Sequence, residues 1–227
     1  MKWTPRDARG LDDVLIALSD GREVYAPERG DNGSYKLSRS DAWRTGFHTL
    51  GDYRPIEPLK TLFFPAREFI GRGRSDVLRE PMRERIVFGV KNCDLSALNV
   101  FDHVFLHGVA EDPYYAEARR KTILVSTDCT DHLDVCFCPA VDEQPWAESG
   151  FDVNIARTPA GVVIEDGTER GAGLVDGIAD LLKPAEAEQL EALQKQRTRH
   201  YQDLSDACAA RGVQRGSDLQ GAVEGAF

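Results

Sequence analysis

The sequence predicts an α/β domain: a small, mostly parallel sheet with flanking helices, cysteine-bearing loops at the strand ends and a helical C-terminal extension. Three observations predict it. Two short apolar runs, Arg85-Ile-Val-Phe-Gly-Val90 and Thr122-Ile-Leu-Val-Ser126, have the length and composition of buried strands. Between them, apolar residues at 95, 98, 101 and 105 form one helical stripe. Each run also delivers a cysteine, Cys93 and then Cys129. Strand–Cys–helix followed by helix–strand–Cys is a βαβ rhythm. It puts both cysteine loops at the carboxyl edge of a parallel sheet, where α/β folds build their sites.

In chain order, Leu11 to Leu18 has the pattern of a short amphipathic helix with Gly21 as its stop. Glu23 to Ala26 reads as a strand cut off by Pro27. Polar residues 28–40 read as a turn leading to Tyr35-Lys-Leu37, a possible hairpin. Pro55, Pro58 and Pro65 make 52–69 extended or loop-like, with short helical pieces. Residues 67–85 hold six arginines (67, 72, 74, 79, 83, 85) interleaved with acids. They read as a solvated face, with a docking patch for an acidic partner as the sharper alternative.

Asp94 is placed to cap a helix from Leu95 to Leu106, and Asp112 with Pro113 to start another. After the second apolar run, Phe151–Ala156 and Gly161–Glu165 read as paired strands around Thr158–Gly161. A helix is expected over 169–182, and a long charged helix over 184–211 that ends at Gly212. Residues 1–183 thus form the α/β domain. Residues 184–227 form the helical extension.

Length and composition bound the function. A chain of 227 residues, 41% apolar and 29% charged, suits one medium domain with or without an appendage. A net charge of −10 argues against a dedicated nucleic-acid binder, which needs clustered lysine and arginine. The start lacks the apolar core of a secretory signal, and no apolar run approaches the roughly 20 residues of a membrane helix. A cytoplasmic protein without membrane insertion is expected, in a compartment that keeps thiols reduced. No G-x-G-x-x-G after a strand, P-loop, nucleophile elbow or H-E-x-x-H is present, and no acid/base pair assembles. The chain is therefore expected to make no bonds by itself.

Four of the five cysteines lie between 93 and 138, as C-x35-C-x6-C-x-C. Four thiolates gathered this way can close a tetrahedral metal site or hold a cubane iron–sulfur cluster. Only thiolate binds metal, so the surroundings must favour the charged form. Cys93 sits where a helix begins and Lys91 lies two residues before it, both favourable to negative charge. In extended backbone Cys136 and Cys138 face one side while Phe137 points away. The spacing lacks the paired C-x2-C knuckles of structural zinc, which favours iron–sulfur over zinc. A zinc-stabilised scaffold, a redox disulfide at the C-x-C pair and plain buried thiols are the alternatives.

Among the remaining candidates, Cys208 reads as a packed helical cysteine. His132 reads as an exposed loop residue that could also reach the centre, and His48, His103, His107 and His200 carry no spacing signal. Arg119 and Arg120 read first as part of a capped, packed helix and second as positive charge beside the centre.

The chain also resembles a known family. The matching stretches are Tyr53-Arg-Pro-Ile-Glu-Pro-Leu-Lys60 with Leu62-Phe-Phe-Pro65 and Glu68, Phe88-Gly-Val-Lys-Asn-Cys-Asp-Leu95, and Asp112-Pro-Tyr-Tyr115 with Arg119-Arg120. Cys136-Phe-Cys138 and Gly150-Phe-Asp152 follow in the same order. Over residues 20–170 they are similar to the iron–sulfur electron-transfer subunit shared by cytosolic sulfhydrogenases (beta) and anaerobic sulfite reductase (A). The resemblance implies one [4Fe–4S] cluster on Cys93, Cys129, Cys136 and Cys138. It implies electron relay between a flavoprotein or ferredoxin partner and a catalytic subunit of hydrogenase, sulfite reductase or heterodisulfide reductase type. A flavin, on this reading, belongs on a partner. Family members usually continue into C-x2-C-x2-C-x3-C-P ferredoxin repeats, which this sequence lacks; it is read either as a fragment or as a short version whose other clusters sit on a partner, with 184–227 the link to the missing module or to that partner.

Overall fold

The computed structural model describes residues 1–6, 10–29, 34–39, 50, 55, 57–64 and 82–213. Its centre is an eight-stranded mixed sheet. In chain order the elements are β1 (Lys2–Pro5), α1 (Gly10–Ser19), β2 (Glu23–Arg29), β3 (Tyr35–Arg39), β4 (Arg85–Val90), α2 (Asn92–Phe105), α3 (Pro113–Lys121) and β5 (Thr122–Thr127). Then come β6 (Val153–Thr158), β7 (Gly161–Asp166), α4 (Glu169–Asp176), β8 (Leu182–Pro184) and α5 (Ala187–Ala210). The spatial order is β3-β2-β4-β5-β6-β7-β1-β8. Neighbouring strands are parallel from β2 to β6 and antiparallel on both flanks, so five of the eight strands run the same way.

The α/β class and the βαβ unit are as the sequence predicts. Strands β4 and β5 are buried along their whole length, as parallel strands covered on both faces must be. One face packs Ile86, Phe88, Ile123 and Val125 against α1 and the end of α4. The other packs Val87, Val90 and Leu124 against Leu95 and Leu98 of α2 and Tyr115 of α3. Val87 and Val90 share a face despite their odd spacing because the register slips at Gly89. Gly89 has φ +73°, and a Cβ there would stand 2.7 Å from Cγ of Pro27. Glycine is required by both conformation and space. Helix α5 lies on the same side as α2, over β6 and β7, burying Leu193 against Ala156 and Val163.

Several local expectations are corrected. Strands β1 and β8 have no counterpart in the sequence pattern. The helix expected over 169–182 ends at Asp176, and a 3-10 turn at Ala179–Leu181 then leads into β8. Strand β2 runs through Pro27, because its ladder to β4 ends at Tyr25 and only β3 pairs with it beyond. Helix α2 starts at Asn92 with Lys91 at its cap, so Asp94 lies inside the first turn rather than at the cap position. Asp112 does cap α3, accepting from the N–H groups of Tyr114 and Tyr115. Most of the arginine-rich run lies outside the described residues. Arg85 is buried rather than solvated, donating to Thr122 Oγ1 at 2.6 Å and to the Leu62 carbonyl at 2.7 Å. No helix among the described residues is long and apolar enough to cross a membrane.

Candidate metal centre

Because β4 and β5 are adjacent and parallel, the residues following them emerge side by side. Cys93 occupies the first turn of α2, three residues past β4, and Cys129 stands two residues past β5. The loop from Cys129 folds back, and a 3-10 turn at Cys138–Val141 closes it. Cys93, Cys129, Cys136 and Cys138 line one cavity of about 360 Å³ with Lys91, Ser96 and Glu143. The structure thus brings the four cysteines around a common space. Cys136 and Cys138 reach it through a turned backbone, with Phe137 at φ −142°, ψ 22°, rather than through an extended strand. Phe137 itself lines the cavity.

Main-chain and side-chain bonds hold this geometry. Cys129 N–H donates to the Pro145 carbonyl, Cys136 N–H to the Leu133 carbonyl and Glu143 N–H to the Cys138 carbonyl. The Leu133 N–H points at the Cys136 sulfur, at 3.3 Å. Asn92 and Ser96 donate to the two carboxylate oxygens of Glu143 at 2.7 and 2.8 Å, tying the first turns of α2 to the loop after Cys138. Asp142 takes a left-handed conformation at φ 60°, which aspartate tolerates.

Two of the four thiols have surroundings that favour the neutral form. Burial pushes the Cys129 thiol up to about 11; Lys91 opposes the rise, while Cys93, Cys136 and Asp128 add to it. Burial, then repulsion from Cys93, Cys129 and Cys136, pushes Cys138 up to about 12. At these two positions desolvation outweighs the helix and lysine charges. A cationic inorganic core would supply the missing charge. Lys91 is the protein's own contribution. It is 2% exposed, donates to the Leu50 carbonyl at 2.9 Å and Thr127 Oγ1 at 3.0 Å, and lines the cavity.

The other predicted residues divide. His132 lies in the cysteine loop but does not line the cavity; its ring meets that of His200 on α5 edge-on, at 5.7 Å. Arg119 and Arg120 lie elsewhere. Helix α3 leads into the amino end of β5, whose carboxyl end carries Cys129, a separation of roughly 20 Å along six residues of strand. There Arg119 makes a two-point pair with Asp102 at 2.7 and 2.8 Å and lies over the Phe63 ring, while Arg120 is exposed. Cys208 is packed as expected, its thiol 3.5 Å from the Cys136 carbonyl.

Sequence reasoning missed how α5 grips the site. Arg211 donates to the Cys136 carbonyl at 2.9 Å. Arg197 pairs with Asp128 and with Glu165, both at 2.7 Å, and Asn154 bridges the same two carboxylates. The only signal was a long charged helix, which does not say which of its cations turn inward.

Among the described residues, no three His, Cys, Asp or Glu side chains close on a single ion position. Compared with curated proteins, the chain matches subunit beta of sulfhydrogenase 2 from Pyrococcus furiosus, 26% identical over 173 residues. That match covers 75% of this chain and 50% of the other, so the chain spans about half the length of the relative it matches. It supports a distant relationship between the two. No family model and no solved structure matches the chain.

Proposed function

We propose that the chain is an electron-transfer subunit of a cytoplasmic redox complex, carrying one [4Fe–4S] cluster on Cys93, Cys129, Cys136 and Cys138. It relays electrons between a flavoprotein or ferredoxin partner and a catalytic subunit of hydrogenase, sulfite reductase or heterodisulfide reductase type. One observation carries the reading: four thiols from the ends of two adjacent parallel strands and their loop line a single cavity. Four sulfurs around one cavity suit a polynuclear group in which each thiolate has its own iron. The distant sulfhydrogenase relative points the same way.

A bound cluster supplies one-electron redox chemistry. The chain's own residues set its surroundings. The four cysteines ligate, Lys91 places one buried positive charge beside them, and the bonds of Asn92, Ser96 and Arg211 hold the ligating loops in register. On this reading a flavin and the bond-making chemistry belong to partners.

The test is iron and acid-labile sulfide per chain after oxygen-free purification, with EPR of the dithionite-reduced protein. About four of each per chain is expected. A colourless protein with stoichiometric zinc would put a structural scaffold in place of this reading.

A further inference from the structure

The cavity that the four cysteines line opens through an apolar rim. Leu133, Val135, Phe137 and Val141 all line it, and they are 41%, 69%, 56% and 43% exposed. Four large apolar side chains within nine residues, turned outward around one opening, form a patch of the kind that marks an interaction surface. Exposed carboxylates frame it at Asp131, Asp134 and Asp142. Between Lys121 and Arg157 the sequence contains no lysine or arginine. Lys91 is turned inward on Leu50 and Thr127, and Arg211 is held at the edge by the Cys136 carbonyl.

We infer that this rim is the face on which the electron-exchange partner docks, and that the partner presents an apolar centre ringed by lysine and arginine. The inference rests on the cluster reading proposed above and adds where and with what chemistry the partner binds. The apolar centre brings the partner's redox group to the mouth of the cysteine cavity. The acidic frame steers encounter and fixes orientation, which is how transient redox pairs associate quickly through small interfaces. A second copy of this chain is a poorer occupant, because it would set Asp131, Asp134 and Asp142 against their equivalents.

Oxidised cytochrome c, a cationic haem protein, serves as the probe. The chain, its iron content verified, is reduced and mixed with the probe in a stopped-flow instrument at increasing salt. The second-order rate should fall about tenfold between low and physiological ionic strength. Asp134→Lys should lower the low-salt rate several-fold, and so should Phe137→Ser, at unchanged iron content. Asp20→Lys makes the same charge change just before β2, at the opposite edge of the parallel strands, and should slow the reaction much less. Equal slowing by Asp20→Lys and Asp134→Lys, or no effect of Phe137→Ser, overturns the inference. So does a dimer that Phe137→Ser dissociates, which makes the occupant a second copy. A rate that rises when residues 214–227 are removed makes the occupant the chain's own tail and overturns it too. Protein without iron sinks the cluster reading; loaded protein without a rim effect sinks only this one.

Discussion

Arg197 of α5 grips Asp128 at two points, Nε to Oδ2 at 2.7 Å and Nη2 to Oδ1 at 3.1 Å, and the residue after Asp128 is Cys129. Both side chains are nearly buried, at 10% and 3% exposure. Removing one partner of a buried pair strands the other's charge, which costs about 3–5 kcal/mol. Arg197→Met should therefore lower stability by about that amount in urea titrations. Arg197→Lys should recover little, since an ammonium cannot reproduce the two-point contact.

Each of Cys93→Ser, Cys129→Ser, Cys136→Ser and Cys138→Ser should lower bound iron on its own, whereas Cys208→Ser should not. Iron analysis on protein purified without oxygen checks this. If only the Cys136 and Cys138 variants lost redox activity, a dithiol would replace the cluster.

Lys91 donates to the Leu50 carbonyl and Thr127 Oγ1 and lines the cysteine cavity, so its charge stands beside the proposed cluster. Lys91→Met should make reduction harder, lowering the midpoint potential by ~60 mV or more, the one-electron equivalent of a tenfold change. A potentiometric titration followed by EPR measures it. An unchanged potential with iron retained would remove Lys91 from any tuning role.

Far from the cysteines, Asp102 carries a pH dependence of stability. Burial alone would raise its carboxyl, but hydrogen bonds from Arg119 and Tyr115 and the charge of Arg119 outweigh it, leaving it below its ordinary value of 3.8. A depressed carboxyl stabilises the fold above its unfolded pKa, and that contribution fades as pH falls through the folded value. The stability gap between wild type and Asp102→Asn should thus be full at neutral pH and shrink below about pH 4. Urea midpoints at a series of pH values read it directly.

Gly89→Ala should destabilise by about 1–3 kcal/mol. The added Cβ meets Pro27 at 2.7 Å, and φ is +73°. A urea midpoint equal to wild type would mean that the bulge relaxes.

What was legible in the sequence was what is local. β4 and β5 announce themselves as apolar runs, and their order with the intervening helices makes the parallel pair and the common edge for Cys93 and Cys129 close to unavoidable. β1 and β8 are three or four residues long, sit at the flank and end in prolines, so neither leaves a periodic pattern. The inward turn of Arg85 and Arg197 was hidden for another reason. A buried arginine needs a carboxylate or carbonyl brought from elsewhere in the chain, and nothing beside it in sequence announces that partner. The same holds for Arg119: its position on a helix was readable, but whether that helix ends at the cysteine edge or the opposite one depends on strand direction.

Helix α5 joins the two ends of the described chain, with Gln189 donating to Thr4 Oγ1 on β1 and Arg211 donating to the Cys136 carbonyl. Among the described residues, the bond from Arg211 is thus the last tie on the cysteine loop to be synthesised, made 73 residues after the final cavity thiol, Cys138.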